Sequence, residues 1–247
     1  MDANLCISCG SRQFSLNHRL QIAVCSQCGL GWQVAPILSS GYFSWSEDIY
    51  AESMLRQKMY VDRLIRIEQF NPAPKRWLDI GCGGGGILKV ARNHGYEVEG
   101  VEPGRKAAEY ASKQLNIKMH PTVLHDAPLN HPNYGIISYF HVLEHIPNPS
   151  EELSLVRKYL DNSGILVIEV PDFGAFSWKL FGKRHRHCYK GHLYFYTRNS
   201  MVKLLQNNGF ETLEVVKVPY FVSLTWLFRK LIHNNKVNDL ISHIFRN

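Results

Sequence analysis

The sequence predicts an α/β fold, with a doubly wound, mostly parallel β-sheet between a small cysteine-rich module and a helical tail. Three observations predict it. Short apolar runs alternate with amphipathic stretches over residues 76–218. A glycine turn, Gly81–Gly86, follows the first of these runs, Trp77–Ile80. Two Cys-x-x-Cys pairs precede all of them, which is typical of a small metal-binding module.

The composition is typical of a globular protein. The chain has 247 residues, of which 45% are hydrophobic and 20% are charged, so it can bury a core and is not disordered. We find neither a secretory leader nor a run of about 20 apolar residues, so we expect no secretion and no membrane-spanning helix. Six cysteines in such a chain indicate a reducing compartment, and we expect a cytoplasmic protein.

The net charge of +7 indicates which partners to consider. Several cations lie in one segment: Lys179, Lys183, Arg184, Arg186 and Lys190. This segment could be a solvated surface or could face an anionic substrate such as a nucleotide-linked sugar or glycan, and both interpretations stay open. Nucleic acid is disfavoured because the chain has no long basic run and no basic helix stripe.

Composition and motif spacing divide the chain into four segments. We expect a zinc ribbon in residues 1–32 and a linker with a helix in residues 33–75. The α/β domain would occupy residues 76–218, and residues 219–247 would form an amphipathic helical tail.

Four cysteines predict the metal site of the ribbon. They are Cys6, Cys9, Cys25 and Cys28, with fifteen residues between the two pairs. Two such pairs can bring four thiolates around one Zn²⁺ ion, and a module this small would depend on the metal for its folding energy. Four thiolates leave no open position, so the ion would be structural. An iron site or redox-active dithiols are the alternatives.

Asp79 and three alternate glycines predict a binding turn at the carboxyl edge of the sheet. Gly81, Gly83 and Gly85 permit positive φ and leave room for a ligand to approach the backbone. A turn that binds pyrophosphate would use Gly-x-Gly-x-x-Gly, and an acid beside it would repel that anion. An acid here would instead attract a cationic group.

The run from Leu78 to Gly86, LDIGCGGGG, resembles the first motif of class I S-adenosylmethionine (SAM) methyltransferases, which have a Rossmann-like fold. The resemblance implies that the glycines and Cys82 contact the methionine part of the cofactor and that Asp79 orders it. It also implies that the linker can cover the cofactor. Tyr50 could then act as a lid, with simple packing as the alternative.

Two further regions fit the same cofactor. Glu102 ends the predicted strand Glu97–Val101 and precedes Pro103, at the distance from the turn where dinucleotide folds place a ribose-binding acid. The resemblance implies that Asp126 accepts from the adenine amino group and that the Ala127 amide donates to a ring nitrogen. An ordinary turn before a proline is the alternative for these two residues.

The predicted strand Tyr134–Val142 leads into the run HVLEHIP, which resembles the fourth motif of ubiquinone-type O-methyltransferases. The resemblance implies that His141 lines the cofactor pocket near the sulfonium. Glu144 and His145 would then lie beneath the substrate cleft. His145 could remove a proton from a hydroxyl, or it could simply hold the loop by hydrogen bonds.

An aromatic and basic insertion, Phe173–Gly191, follows the last predicted parallel strand. The run HLYFYT that begins at His192 resembles a segment of zinc-ribbon sugar methyltransferases. In the sugar C-methyltransferases a glutamate precedes this histidine, whereas this chain has Gly191, which argues against C-methylation of a keto sugar. His192 is the candidate base and Tyr189 a candidate substrate contact, and a structural role for His192 is the alternative.

The end of the chain predicts a strand, Phe210–Val218, but no final antiparallel strand like that of the family. The basic amphipathic tail could pack, form a dimer or touch a membrane surface, so monomer and homodimer both stay open.

Together the motifs predict a SAM-dependent methyltransferase with a structural Zn²⁺ ion, acting on a hydroxyl of a sugar or glycosyl intermediate. A SAM-binding scaffold is one alternative. A nucleic-acid or protein methyltransferase that uses the ribbon for recognition is the other.

Overall fold

The computed structural model describes residues 5–34, 54–129, 133–188 and 191–218. The predicted tail, the candidate lid residue Tyr50 and the candidate substrate contact Tyr189 lie outside the described residues. None of the helices within these ranges is long and apolar enough to cross a bilayer.

From residue 76 onward, strands and helices largely alternate along the described chain, as the sequence predicts. The strands are β1 (Phe14–Asn17), β2 (Ile22–Cys25), β3 (Gly31–Gln33), β4 (Arg76–Ile80), β5 (Glu97–Val101), β6 (Lys118–His120), β7 (Tyr134–Phe140), β8 (Leu160–Glu169) and β9 (Tyr194–Phe195). The helices are α1 (Met54–Glu68), α2 (Gly86–Asn93), α3 (Arg105–Leu115), α4 (Pro149–Tyr159), α5 (Phe176–Phe181) and α6 (Arg198–Asn207).

Five strands form the central parallel sheet, in the order β6-β5-β4-β7-β8. The chain adds β5 and β6 on one side of β4 and then crosses over to add β7 and β8 on the other. The carboxyl ends of β4 and β7 therefore flank the point where the strand order reverses, and open α/β sheets bind their ligands at such a point. The predicted doubly wound α/β fold is confirmed.

Helix α2 shows how the sequence sets the local structure. The residue before it, Gly85, has φ +76°, a left-handed conformation that glycine adopts without strain. The apolar residues of the helix recur at helical spacing, and Ile87, Leu88, Val90 and Ala91 are all buried. They pack into a core cluster with Trp77 of β4. This packing fixes the glycine turn between β4 and α2.

The ribbon forms a second, antiparallel sheet, β1-β2-β3-β9. Its last strand comes from the far end of the chain, because Gly31 pairs with Phe195 and Trp32 with Tyr194. The buried cysteines of the ribbon share a core cluster with Leu143, Leu193 and Tyr194. The ribbon thus packs directly onto the α/β domain, although the division of the chain near residue 32 stays a prediction.

The sequence predicts a strand over Phe210–Val218, but the structure has no regular secondary structure in residues 210–218. Within the described residues, no neighbouring strand edge pairs with this segment. Instead, Glu214 forms an ion pair with Arg66 at 2.8 Å, and Arg198 Nη2 donates to the Val215 carbonyl at 3.0 Å. β-Branched composition alone therefore misled the prediction, since β-propensity depends on a partner and a buried face.

Candidate functional site at the switch point of the sheet

Asp79 lies near the carboxyl end of β4 and is only 2% exposed. Ser138 Oγ on the neighbouring β7 donates to Asp79 Oδ1 at 2.6 Å, and Trp77 Nε1 donates to Ser138 Oγ at 2.7 Å. Burial raises the pKa of Asp79 to about 8, against the opposing effect of the Ser138 hydrogen bond. No cation among the described residues pairs with this carboxyl, so a ligand cation would find it oriented and without a competing cation.

The glycine turn has the backbone that the motif predicts. Gly81, Gly83 and Gly85 have φ of +67°, +53° and +76°. The Gly81 amide donates to the Val101 carbonyl at 2.7 Å, which ties the turn to the end of β5. A Cβ at Gly81 would lie 2.4 Å from Val142 Cγ2, so here the missing side chain makes room for the loop after β7. At this position the expectation of open space for a ligand is corrected.

Glu102 directly follows β5 and is 6% exposed. Its Oε2 accepts from the Gly83 amide at 2.9 Å, and its Oε1 accepts from the Gly104 amide at 2.7 Å. Burial raises the pKa of Glu102, and the two amides oppose that rise. The carboxyl is therefore fixed against the glycine turn. Each oxygen keeps a second lone pair that could accept a ribose hydroxyl.

The other predicted cofactor contacts differ in their exposure and in their hydrogen bonds. Cys82 is half-buried with its Sγ 3.9 Å from Met119 Sδ, and burial raises the pKa of its thiol. Pro103 is half-buried beside Glu102, and Asp126 is exposed in a short turn. The Ala127 amide donates to the Leu124 carbonyl at 3.2 Å, so it would have to exchange that bond to reach an adenine.

His141 follows β7 with φ +60°, a conformation that is uncommon for residues other than glycine. Its Nε2 lies 3.0 Å from Glu169 Oε1 at the end of β8. Arg63 of α1 donates to the same carboxylate from Nε at 2.7 Å and from Nη2 at 2.6 Å. Burial alone would raise the pKa of Glu169, but the hydrogen bonds from His141 and Arg63 outweigh it and lower the pKa to about 2. The carboxylate therefore stays anionic and holds His141 in place.

A histidine cluster lies next to His141. Glu144 and His145 belong to the short helical turn Leu143–His145, and His192 precedes β9. The His145 and His192 rings meet edge to face at 4.7 Å. The His187 ring stacks 6.1 Å from that of His192 and 6.2 Å from that of His141. The structure thus brings together His141, His145 and His192, which the sequence singled out separately.

Burial controls protonation in this cluster. It lowers the pKa of His192 to about 3, with further effects from His145 and His187, and it lowers the pKa of His145. It also raises the pKa of Glu144 to about 7. His145 and His192 are therefore mostly neutral near pH 7. Burial weakens His192 as a base, because a general base works best when its pKa lies near the working pH.

The four predicted zinc ligands lie close together. Cys6 Sγ is 3.5 Å from Cys28 Sγ, and Cys9 Sγ is 3.6 Å from Cys25 Sγ. All four sulfur atoms lie within 4.8 Å of one another. A tetrahedral Zn²⁺ ion with Zn–S bonds of about 2.3 Å needs sulfur atoms roughly 3.8 Å apart. These residues therefore fit the ion.

Sequence reasoning missed several residues of the site. Ser138 is a small polar residue in the buried strand β7, and Glu169 is an acid at a strand end, so both carried a usable signal. Arg63 lies 106 residues from its partner, and His187 was noted only within the basic insertion. Only the tertiary fold brings these last two to the site.

The parallel sheet, the glycine turn and the acids at two adjacent strand ends define a class I methyltransferase fold. Residues 50–215 match the family model described as "Methyltransferase domain", which is more than half of the chain. The chain therefore belongs to this family. The predicted resemblance to class I SAM-dependent methyltransferases is confirmed.

Curated relatives match part of the chain. The ubiquinone biosynthesis O-methyltransferase of Proteus mirabilis is 34% identical over 110 residues, which are 42% of this chain and 45% of the relative. That of Saccharophagus degradans is 26% identical over 103 residues, 39% of this chain and 44% of the relative. The matched part of the chain thus spans less than half the length of these relatives.

Solved structures share the fold. A SAM-dependent methyltransferase from Thermotoga maritima, described as a possible histamine N-methyltransferase, has a TM-score of 0.54 at 19% identity, covering 67% of this chain and 78% of that one. The plantazolicin methyltransferase BpumL in complex with SAH has a TM-score of 0.56 at 18% identity, covering 78% and 81%. At these identities the likeness shows the fold alone.

Proposed function

We propose that this chain transfers a methyl group from SAM to a hydroxyl of a small-molecule acceptor. The observation that carries the proposal is the pair of carboxyls, Asp79 and Glu102, held at adjacent strand ends on either side of the glycine turn. Asp79 suits the cationic amino-acid end of the donor, and Glu102 suits the ribose hydroxyls. The O-methyltransferase names of the curated relatives support an oxygen acceptor.

The reaction is an in-line displacement. SAM supplies a methyl carbon bonded to a sulfonium sulfur. The acceptor oxygen forms a bond to that carbon while the carbon–sulfur bond breaks and its electron pair stays on sulfur. The hydroxyl proton goes to a base or to solvent. The main task of the chain is to hold the acceptor oxygen within about 3–3.5 Å of the methyl carbon and in line with the bond that breaks.

His145 is better suited than His192 to accept the hydroxyl proton. Its Nδ1 lies 2.8 Å from the Gly191 carbonyl, which can only accept, so this nitrogen carries the hydrogen. Nε2 then carries the lone pair that could take a proton. His192 and Tyr189 stay candidates for contact with the acceptor.

We propose an anionic sugar or glycosyl unit as the acceptor, such as a nucleotide-linked sugar. A cleft of about 360 Å³ lies between the ribbon and the insertion, lined by Arg19, Leu180, Phe181, Lys183 and Arg184. None of its three cations forms an ion pair with another described residue. Cations beside apolar side chains suit a phosphate attached to a sugar or a base.

The Zn²⁺ ion that we propose for the four cysteines has a structural role. Four thiolates complete a tetrahedral shell and leave no position for a substrate. The ion would hold the ribbon, and with it Arg19, against the insertion.

Calorimetry with SAM and with its demethylated product, followed by a labelled-methyl assay on a panel of acceptors, tests the function. We expect binding of both molecules and transfer to nucleotide sugars. Binding without transfer to any acceptor would favour a scaffold. Transfer to RNA, with binding that weakens steeply with salt, would favour a nucleic-acid methyltransferase.

Replacing Arg19 and Arg184 by alanine tests the acceptor class separately. The double variant should raise KM for an anionic acceptor and leave the affinity for SAM unchanged, because the cleft does not include the glycine turn. An unchanged KM would remove the cleft from the acceptor site.

A further inference from the structure

Among the described residues, the carboxyl of Glu144 is buried without a hydrogen-bond partner. The residue is 1% exposed, and neither of its oxygens has a hydrogen-bond partner in the part of the chain that the structure describes. His141 Nδ1 and His192 Nε2 each lie 3.9 Å from Oε1, too far for a hydrogen bond. Burying a carboxyl without such a partner is costly, so Glu144 is a candidate to bind a ligand.

The same fold gives another buried glutamate close charged or polar partners. Glu99 on β5 is 3% exposed. Its Oε2 lies 2.9 Å from His120 Nε2 and 3.0 Å from Lys118 Nζ. Burial beside a histidine is therefore compatible with a hydrogen-bonded carboxylate in this protein. The lack of hydrogen bonds at Glu144 comes from its particular surroundings.

Two imidazoles converge on the same point as the Glu144 carboxyl. Each of Glu144, His145 and His192 offers one possible ligand atom, and these three atoms lie within 4.8 Å of one another. The Nδ1–H of His145 donates to the Gly191 carbonyl, and the ring of His192 is hydrogen-bonded to the His187 carbonyl. Histidines that bind metals are typically held in this way, with one ring nitrogen bonded to a backbone carbonyl and the other turned to the ion.

We propose that Glu144, His145 and His192 bind a divalent transition-metal ion on the substrate side of the site. Two imidazoles and one carboxylate are the ligands of many catalytic zinc sites and of non-haem iron(II) sites. Bonds of about 2.0–2.2 Å put such ligand atoms roughly 3–3.5 Å apart. The 3.9 Å between Glu144 Oε1 and His192 Nε2 needs to shrink by about 0.4–0.9 Å to reach this range.

The proposed site of Glu144, His145 and His192 differs from the four-cysteine site in its number of protein ligands. Three protein ligands leave at least one coordination position open, and an acceptor hydroxyl could occupy it. A metal-bound hydroxyl loses its proton more readily, so the proton could pass to solvent before the oxygen attacks the methyl carbon. With the ion bound, His145 Nε2 is a metal ligand and cannot also take the proton, so the ion would replace His145 in the role proposed for it above. This role rests on the proposed methyl transfer, whereas the metal site itself does not.

A cobalt titration tests the site without using activity. The full-length protein, with zinc in the cysteine site and weakly held metal removed, is titrated with Co²⁺ and followed by visible absorption. Nitrogen and oxygen ligands give only weak d–d bands, whereas cobalt on thiolates also gives intense charge-transfer bands. We expect one equivalent of Co²⁺ to bind with d–d bands alone.

Glu144→Gln and His192→Gln should weaken this binding by at least about tenfold. Glu99→Gln is the matched control: it alters a buried glutamate beside a histidine and should leave Co²⁺ binding unchanged. Thermal unfolding of each variant shows whether it is folded, and retained SAM binding shows that the proposed function stands separately. Absence of d–d bands in the wild type, or equal affinity in folded Glu144→Gln, would overturn the metal site.

Discussion

The Asp79 carboxyl is held in the site by two neighbours and is kept out of water. Its hydrogen bond from Ser138 and the bond from Trp77 to Ser138 orient it. Its pKa of about 8 means that much of it is protonated at pH 7. A cationic donor that binds beside it would favour the carboxylate form. Binding of the donor should therefore release a proton.

This coupling predicts the pH dependence of SAM affinity. Below pH 8 the affinity should rise with pH, by up to about tenfold per unit, because less work is needed to deprotonate Asp79. It should level off where the donor's own amino group, with a pKa of about 7.7–8.0, begins to lose its charge. Calorimetry at pH 7 in buffers with different heats of ionisation measures the released proton.

Asp79→Asn is the control, because it keeps the shape and removes the titrating group. It should bind SAM weakly and release no proton. Glu102 also faces this site, so Glu102→Gln should be measured alongside to assign the proton. Equal binding heats for the wild type in all buffers would contradict the role of Asp79.

Glu102 predicts a separate loss of affinity. Glu102→Gln replaces one accepting oxygen by an amide group that would face the Gly83 or Gly104 amide. Loss of one charge-assisted hydrogen bond to a ribose hydroxyl is worth about 1.5–3 kcal/mol, or roughly a 10- to 150-fold weaker Kd for SAM. The Kd is measured by calorimetry. A change of less than twofold would place the ribose elsewhere.

At the scale of elements, the ion pair between Arg63 and Glu169 joins α1 to the end of β8. The two side chains are 9% and 16% exposed. We expect Arg63→Met to lower the free energy of unfolding by about 3 kcal/mol, the low end for a buried pair, because some exposure remains and His141 still contacts Glu169. Arg66→Met is the matched control, since the exposed pair of Arg66 with Glu214 is worth at most about 1 kcal/mol.

The pH dependence of this stabilisation follows from the depressed pKa of Glu169. The pKa is about 2 in the folded protein and about 4.3 in an unfolded chain. The contribution is therefore complete above pH 4.3 and is lost as the pH falls toward 2. Urea unfolding from pH 7 to pH 2.5 should show the wild type and Arg63→Met converging in acid. A constant difference across this range would be inconsistent with the pair.

Elements that depend on local pattern could be predicted from the sequence. The bounds of β5, Glu97–Val101, agree with the prediction, because the strand ends just before a proline and a glycine, Pro103 and Gly104. β9 could not be predicted, since it has two residues and exists only through its pairing with β3. The failed strand at 210–218 has the same cause, because strand formation depends on partners distant in sequence.

The same holds for the functional site: its local motifs could be predicted from the sequence, whereas contacts between distant residues could not. Asp79, the glycines and Glu102 belong to local motifs, and the sequence placed them correctly at the strand ends. The convergence of Glu144 with His192, 48 positions away, is a property of the fold. Burial is also a tertiary property, so the sequence could nominate His192 as a base but could not show that burial weakens it.

At the scale of the molecule, the ribbon and the α/β domain share a core. Cys25 and Cys28 lie in one buried cluster with Leu143 and Leu193, which neighbour the proposed metal ligands Glu144 and His192. We expect Cys25→Ser to remove the ribbon's zinc and to speed amide exchange in residues 191–207 by at least about tenfold. Cys188→Ser is the control, because this cysteine lies outside the set of four.

Hydrogen exchange with mass spectrometry measures this effect, and metal analysis confirms the loss of zinc. The helix α2, on the other side of the sheet, should keep its protection. Unchanged exchange in residues 191–207 after loss of the metal would mean that the ribbon does not support the site.

We propose that the Asp79 carboxyl and the glycine turn bind a cationic methyl donor at the switch point of the sheet. Titration of the purified chain with SAM in a calorimeter tests this most directly. We predict one SAM per chain, with the affinity strongly reduced in Asp79→Asn while that variant stays folded. No measurable binding to the folded wild type, or equal binding by Asp79→Asn, would contradict it.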